Sequence, residues 1–202
     1  MNKWDERYDI DQYFYGIEPN DFLRANASIF KKGDRVLCLA EGEGRNAVHL
    51  ASLGLDVTAV DASAVGLMKL ENLARSRGVA VKTVVSDLRE FRIKPAEWDG
   101  IVSIWAHLPK ELRATVHHRC IQGLRAGGHF LLEAYTPKQL EFATGGPPTA
   151  DLMMDLGSLR RELEGLEFLH ATELERVVRE GMGHNGRSAV VQIIGRRTKE
   201  SW

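Results

Sequence analysis

Short apolar runs alternate with amphipathic stretches from residue 36 to residue 134. Residues 36–40, Val-Leu-Cys-Leu-Ala, are too few for a helix and are typical of a strand buried on both faces. A turn with two glycines, 41–44, leads into an amphipathic segment that predicts a helix over 45–53. A second apolar run, 57–60, ends on Asp61. The pattern predicts a strand–turn–helix–strand unit.

The same alternation continues along the chain. Where strands and helices alternate in this way, the strands form a parallel sheet with helices on both of its faces. The predicted elements after the first unit are a helix capped by Ser63 and ending near Gly78, a strand over 79–85, a strand over 100–105, a helix over 110–124 and a strand over 129–134.

The pattern changes after residue 135. Residues 136–149 read as a loop and residues 155–163 as a helix. Two strands are predicted over 167–178 and 189–197, and the glycine-rich link between them indicates an antiparallel hairpin. The link, 180–186, contains His184, which we expect to be solvated at the hairpin tip.

The chain of 202 residues predicts one domain, 1–202. Its first part, 1–30, is rich in aromatic residues and predicts a short helix and a loop over the core, followed by a helix over 21–30. The central part, 34–135, forms the alternating core, and 136–202 supplies a loop, a helix and the closing hairpin.

The composition and net charge are those of an ordinary globular protein. Hydrophobic residues at 44% and charged residues at 27% are ordinary for a globular protein, and the net charge of −1 favours neither nucleic acid nor an anionic membrane. The sequence contains neither a signal peptide nor a membrane-spanning run, so we expect a cytoplasmic location. Cys38 falls in a predicted buried strand and Cys120 in a predicted helix, and we expect free thiols.

The first unit predicts binding of an adenosine-containing cofactor. Gly42 and Gly44 allow close approach of backbone to a ligand, and the helix that follows offers unpaired N–H groups. Asp61, at the end of the second strand, can accept hydrogen bonds from ribose hydroxyls. The turn also satisfies the dinucleotide pattern G-x-G-x-x-A, so both S-adenosylmethionine and NAD(P) remain open at this point.

Motifs along the chain resemble the class I S-adenosylmethionine-dependent methyltransferases, in particular the small-molecule branch with tellurite-resistance-type and thiopurine-type enzymes. The closing hairpin is similar to the antiparallel seventh strand of that family. The resemblance implies a Rossmann-like fold with a mostly parallel seven-stranded sheet and S-adenosylmethionine as cofactor. The matching segments are 36–46, Asp61, 86–88, 98–102 and 124–133.

Two positions depart from the family pattern. Cys38 stands where the family usually has an acid near the methionine moiety, and Ala40 where it usually has glycine. Our hypothesis is that Glu41, inside the turn, partly replaces the missing acid. We expect the extra methyl group of Ala40 to matter little.

The resemblance implies a set of cofactor contacts. Arg7 is expected to pair with the cofactor carboxylate, and Tyr15 or Trp4 to cover the sulfonium from the N-terminal segment. Asn46 either contacts the cofactor or caps its helix. The expected cofactor-binding residues are Arg7, Tyr15, Ala40, Glu41, Gly42, Gly44, Asn46, Asp61, Ala62, Ser63, Asp87, Leu88 and Trp105.

The acceptor side is predicted from residues after the strands. His107, after the fourth strand, is a candidate general base or a helix cap. Trp4, Arg45, Tyr135 and His184 are candidate substrate contacts. His117, His118 and Cys120 make a poor metal site because adjacent helical residues point about 100° apart, and we expect no metal.

The predicted reaction is methyl transfer by in-line displacement to a small-molecule oxygen, sulfur, nitrogen or chalcogen nucleophile. We expect a monomer or homodimer with no nucleic-acid or membrane partner. The alternatives are a non-catalytic, regulatory S-adenosylmethionine-binding protein and an NAD(P)-dependent oxidoreductase. The third-strand Asp87, the closing hairpin and the lack of a Tyr-x-x-x-Lys pair favour the methyltransferase over the oxidoreductase.

Overall fold

The computed structural model describes residues 2–198, which contain a single seven-stranded sheet. In spatial order the strands run β3-β2-β1-β4-β5-β7-β6, and only β7 is antiparallel to its neighbours. Strand β1 lies between β2 and β4, and because the three strands are parallel their carboxyl ends meet at one edge of the sheet. The strands are β1 (Arg35–Leu39), β2 (Asp56–Asp61), β3 (Lys82–Val85), β4 (Trp98–Ile104), β5 (Leu124–Tyr135), β6 (Leu166–Glu180) and β7 (His184–Arg197).

Helices cover both faces of this sheet, and a buried apolar cluster lies beneath the helices on each face. One cluster packs α2, α3 and α4 against the sheet, and the other packs α5 and α6. This confirms the predicted Rossmann-like architecture with an antiparallel final strand. The helices are α1 (Lys3–Tyr8), α2 (Asp21–Asn26), α3 (Arg45–Ser52), α4 (Ala64–Ser76), α5 (Lys110–Gly123) and α6 (Leu156–Glu162), with 3-10 turns at Ala27–Ile29, Pro137–Glu141 and Ala150–Leu152.

The closing hairpin is longer than predicted. Glu180 pairs directly with His184, so the turn contains only residues 181–183 and the predicted link of 180–186 is wrong. A Cβ on Gly181 would collide with the carbonyl oxygen of Phe14, and Met182 N–H donates to that oxygen at 2.8 Å. The turn is therefore packed onto the N-terminal segment, which is why its flanking residues are buried.

Several predicted boundaries also need correction. The third strand starts at Lys82 because the N–H of Val79 still bonds the Ala74 carbonyl of α4 at 3.0 Å. Residues 21–30 form α2 and a 3-10 turn rather than one helix, and part of the expected loop 136–149 is a 3-10 turn. Strand β5 begins before residue 129, with an irregular register against β4.

Within residues 2–198, none of the helices has the length and apolar character needed to span a membrane.

Candidate active site

A cavity of about 1120 Å³ lies at the sheet edge where β1, β2 and β4 end. Its floor contains the turn after β1 and the end of β2, and its roof is α1 with the aromatic residues that follow. The loop 145–148 and the hairpin residues 183–184 close one side. Pockets for drug-sized ligands measure about 300–1,000 Å³, so this cavity has room for more than one small molecule.

Most of the predicted site residues line this cavity. Gly42, Ser63 and Tyr135 do not. Ser63 instead caps α4, and its hydroxyl donates to the Asp5 carboxylate at 2.7 Å. The predicted residues on the cavity wall are Trp4, Arg7, Tyr15, Ala40, Glu41, Gly44, Arg45, Asn46, Asp61, Ala62, Asp87, Leu88, Trp105, His107 and His184.

Backbone N–H groups fix the position of the Asp61 side chain at the cavity wall. One carboxylate oxygen accepts the N–H of Gly42 at 2.8 Å, and the other accepts the N–H of Ser63 at 2.7 Å. Burial raises the pKa of this carboxyl group, and the backbone hydrogen bonds partly offset that effect. The turn after β1 is thus tied to the end of β2 through one side chain.

Glu41 caps the helix that follows the turn. Its Oε1 accepts the N–H groups of Asn46 at 3.0 Å and Ala47 at 2.7 Å. Burial raises the pKa of Glu41 to about 7 despite these hydrogen bonds. Cys38, by contrast, lies in the apolar cluster on one face of the sheet and is not part of the cavity wall. Both cysteines are free and buried.

A Cβ added to either glycine of the turn would collide with other protein atoms. Gly44 has φ +90°, and a Cβ there would collide with Leu70 of α4. Gly42 has φ +60°, and a Cβ would lie 2.5 Å from the Tyr8 hydroxyl. Glycine is therefore required here by backbone conformation and by the packing of α4 and α1, and Gly44 also lines the cavity.

Ala40 also departs from expectation. Its φ is +48°, a left-handed conformation that costs a residue with a Cβ roughly 1–2 kcal/mol. The alanine therefore affects the backbone and not only the volume of the turn. Trp105, at the end of β4, shares this conformation with φ +56°, and both residues line the cavity.

Lys69 of α4 anchors the N-terminal segment over the cavity. Its ammonium donates to the carbonyls of Tyr8 at 3.2 Å, Ile10 at 2.9 Å and Gln12 at 2.6 Å. It also pairs with the Glu43 carboxylate at 2.6 Å, and both side chains are buried. The sequence did not point to Lys69, because a lysine in an amphipathic helix is usually solvated.

Arg7 lies in the roof among aromatic rings. Its guanidinium donates to the Tyr15 hydroxyl at 2.9 Å and lies 5.0 Å from the Trp4 ring centroid and 5.3 Å from that of Phe14. Within residues 2–198 it has no carboxylate partner. Arg7 is thus a cation at the cavity wall without a counter-ion from the described protein.

Asp87 and its neighbour Leu88 lie at the rim of the cavity beyond β3. The Asp87 carboxylate accepts the N–H of Arg89 at 2.7 Å, which closes a local turn. The side chain is about half exposed, at 48%. It is therefore placed at the cavity entrance rather than deep in the wall.

His107 is bonded to backbone through both of its ring nitrogens. Nδ1 lies 2.9 Å from the Leu152 carbonyl oxygen, which makes Nδ1 the donor, and Nε2 lies 3.5 Å from the N–H of Tyr135. Burial lowers the pKa of His107 to about 4, so the ring is neutral near pH 7. This arrangement ties the 3-10 turn Ala150–Leu152 to the end of β5.

Glu180 lies behind the cavity wall and bonds the lining residues Arg45, Trp105 and His184. It was not predicted as a site residue because it falls in the predicted link. It accepts hydrogen bonds from Arg45 and from the Trp105 indole, each at 2.6 Å. It also accepts one from Asn20 at 2.8 Å. Burial acts to raise the pKa of Glu180, but Arg45 and the hydrogen bonds outweigh it and hold the pKa well below its usual range. The charge of Arg45 is consequently neutralised by a protein carboxylate.

A second buried carboxylate, Glu133 of β5, extends this network below the cavity. Arg176 donates to both of its oxygens, at 2.9 and 2.7 Å, and Gln192 donates at 2.6 Å. Asn20 bridges Glu133 and Glu180 through its amide, at 2.6 and 2.8 Å. The network joins the N-terminal segment to the hairpin.

His184 is buried, which corrects the expectation of a solvated hairpin tip. It is 5% exposed, and its ring centroid lies 4.7 Å from that of Tyr15 and 4.9 Å from that of Trp105. Tyr135, which is fully buried, lies behind these rings and stacks on Trp105 at 4.3 Å. An aromatic wall therefore surrounds the imidazole.

No cluster of three or more metal-binding side chains occurs in the part of the chain that the structure describes. His117 bonds Glu162 at 2.8 Å in the buried contact between α5 and α6, and His118 is exposed.

Residues 36–128 match the model of a family described as a methyltransferase domain. This segment, slightly less than half of the chain, is similar to a methyltransferase domain. Together with the fold, the match supports an S-adenosylmethionine-dependent methyltransferase with S-adenosylmethionine as its cofactor. The matched segment contains the turn, Asp61 and the end of β4, which are the parts that form the cavity floor.

Solved structures support the fold at low sequence identity. A structure described under the conversion of a disulfide bond into a thioacetal group during echinomycin biosynthesis is 17% identical, with a TM-score of 0.76 over 98% of this chain and 89% of that chain. A structure described as one of the S-adenosylmethionine-dependent methyltransferases of Methanosarcina mazei is 18% identical, with a TM-score of 0.70 over 86% and 96%. TehB from Haemophilus influenzae is 22% identical, with a TM-score of 0.72 over 88% of this chain and 62% of that chain. A comparison with curated proteins found no match.

Proposed function

We propose that the enzyme methylates a small molecule inside the cavity described above. The observation that carries this proposal is the closure of a cavity of about 1120 Å³ by α1 on one side and by the loop 145–148 on another. A site walled in this way suits a cofactor with a small acceptor beside it, whereas a protein or nucleic-acid acceptor needs an open approach.

The residues on the wall fit S-adenosylmethionine. Asp61 would hold the ribose hydroxyls, and Arg7, which lacks a carboxylate partner among the described residues, would pair with the cofactor carboxylate. Glu41 would face the methionine end, where the family usually has an acid at the position of Cys38. Tyr15 and Trp105 offer aromatic faces to a positive sulfonium. When bound, the cofactor supplies an electrophilic methyl group with a good leaving group.

The protein's own contribution is orientation and removal of water. The roof is fixed by Lys69, and the wall by the Glu180 network, so the reactants meet in a preformed site. Arg45 is neutralised by Glu180, which argues against a strongly anionic acceptor. His107, bonded to backbone at both nitrogens, supports the site as an anchor rather than as a base.

The proposal is tested by measuring release of S-adenosylhomocysteine with a panel of acceptors. We expect release with small O–H, N–H or S–H compounds and none with oligonucleotides or unfolded protein, because the roof excludes polymers. Release only with the polymers would contradict the proposal. Thermal melting of the same sample shows whether an inactive preparation is folded.

A further inference from the structure

We propose that His184 is the general base of the methyl transfer and that its acceptor is an uncharged aromatic hydroxyl compound, a phenol. This inference rests on the proposed function, because it assigns chemistry to the acceptor side of the same cavity. His184 lines that cavity from the first residue of β7, directly beyond the hairpin turn.

The orientation of the imidazole leaves one nitrogen for a ligand. Nδ1 lies 3.5 Å from Oε2 of Glu180, and a carboxylate can only accept, so Nδ1 carries the proton. In the neutral ring Nε2 then holds a free lone pair. Nε2 has no hydrogen-bond partner in the described part of the chain. Glu180 is thus a positioning residue, and His184 is the group that touches substrate.

The other histidine of the cavity lacks this property. Both nitrogens of His107 are bonded to the backbone of residues 135 and 152. Its Nε2 lone pair faces the N–H of Tyr135, so an acceptor cannot reach it without breaking that contact. His184 is therefore the better candidate for proton transfer within residues 2–198.

The surroundings of His184 favour the neutral imidazole before the reaction and stabilise the imidazolium that forms in it. Burial lowers the pKa of His184, and the hydrogen bond to Glu180 partly offsets the decrease. Once protonated, the imidazolium would face the Glu180 carboxylate. The charged and titratable groups that face it are Glu180, Arg45, Arg7, His107, Tyr15 and Tyr135.

The rings beside His184 and the apolar lining of the cavity favour one class of acceptor. Tyr15 and Trp105 flank the imidazole, and the lining of the same cavity includes the apolar residues Leu108, Leu112, Pro147, Pro148 and Leu152. Flat aromatic molecules suit such walls. A phenol, with a pKa near 10, is mostly protonated at neutral pH and needs a base, whereas a thiol near 8.5 is partly ionised without one.

The proposed step balances as follows. The acceptor oxygen forms a bond to the methyl carbon while the carbon–sulfur bond breaks, and the electron pair of that bond stays on sulfur. The phenolic proton passes to Nε2 of His184, and the imidazolium later returns it to water. No oxidant or further reactant is required.

The test compares wild type with His184→Gln on two acceptors at one pH. With a simple phenol, the variant should lower kcat by roughly 10²- to 10⁴-fold, the usual contribution of a general base. With 4-nitrophenol, assayed above its own pKa, the two proteins should differ little because no proton must be removed. The pH profile for the simple phenol should lose its acidic limb in the variant.

A binding measurement separates this inference from the proposed function. Calorimetric titration should give the same S-adenosylmethionine affinity for both proteins. Phenol should bind the S-adenosylhomocysteine-loaded variant with similar affinity, because the glutamine amide oxygen can still accept a hydrogen bond but cannot take the proton. Failure of wild type to bind the cofactor would defeat the proposed function itself.

His118→Gln is the matched control, since His118 is exposed on α5 away from the cavity. It should leave both rates unchanged. The inference is overturned if wild type binds the cofactor but methylates no phenol, or if His184→Gln lowers the rates with both acceptors equally and keeps the wild-type pH profile.

Discussion

At the residue scale, the roles of the two cavity histidines follow from what each ring nitrogen contacts. His184 is buried and His107 half-buried, and the pKa of each is lowered. His107 is bonded to backbone at both nitrogens, whereas His184 has no backbone partner among residues 2–198. Position after a strand end identified His107 as a candidate base from sequence. Only the structure shows that its lone pair is already used.

His107 predicts a specific pH dependence of stability. Its pKa falls from about 6.5 in the unfolded chain to about 4 in the folded one. Above pH 6.5 His107 is neutral in both the folded and the unfolded state, and its contribution to the free energy of unfolding is fully present. Between those values the unfolded state binds the proton first, so stability is lost as pH falls. Urea unfolding should show wild type losing up to about 3 kcal/mol more than His107→Gln over this range. Parallel pH curves for the two proteins would contradict this assignment.

Residues at strand ends were predictable, and residues within buried networks were not. Asp61 directly follows an apolar run that predicts a buried strand, so the aspartate is expected at the carboxyl end of that strand. Glu133, Glu180 and Lys69 occur at positions where a charge is usually solvated, and their burial arises from partners far away in sequence. No local pattern encodes such pairing.

At the element scale, the N-terminal segment and the hairpin form one unit that covers the cavity. The alternation of apolar runs predicted the core strands because each is buried by its own neighbours. The two hairpin strands are longer than the apolar residues in them predict. The polar residues at their ends are kept in place by hydrogen bonds from Arg45 and Asn20 and by packing against residues 14–16. Tertiary contacts, rather than local sequence, fix these ends.

Lys69→Met should loosen the roof. The change removes the ammonium that joins three backbone carbonyls to Glu43, and breaking a buried ion pair costs about 3–5 kcal/mol. We expect faster amide hydrogen exchange over residues 8–16 and at least about tenfold weaker cofactor binding, a change of about 1.4 kcal/mol.

Two further variants control for the charge left behind. The double variant Lys69→Met/Glu43→Gln also removes the carboxylate that would be left unpaired. It should still show faster amide hydrogen exchange over residues 8–16. Lys82→Met removes an exposed lysine paired with Asp56, and such a surface pair contributes only about 0–1 kcal/mol. Unchanged exchange over the roof in Lys69→Met would show that Lys69 does not anchor it.

At the scale of the whole molecule, the fold places a glycine turn, a strand-end aspartate and an aromatic roof around one cavity. The order of motifs in the sequence predicted the fold and the cofactor, and the match of residues 36–128 to a methyltransferase domain agrees. The acceptor side was less predictable, because it is assembled from a loop, a 3-10 turn and a hairpin that have no sequence periodicity in common.

The most direct measurement is calorimetric titration of the protein with S-adenosylmethionine, S-adenosylhomocysteine and NAD⁺, repeated on Asp61→Asn and on the exposed control Asp56→Asn. We predict that wild type and Asp56→Asn bind the first two ligands and not the third, and that Asp61→Asn binds them at least about tenfold more weakly because the ribose loses a charged acceptor. Binding of NAD⁺ alone, or equal affinities in Asp61→Asn and wild type, would contradict the account.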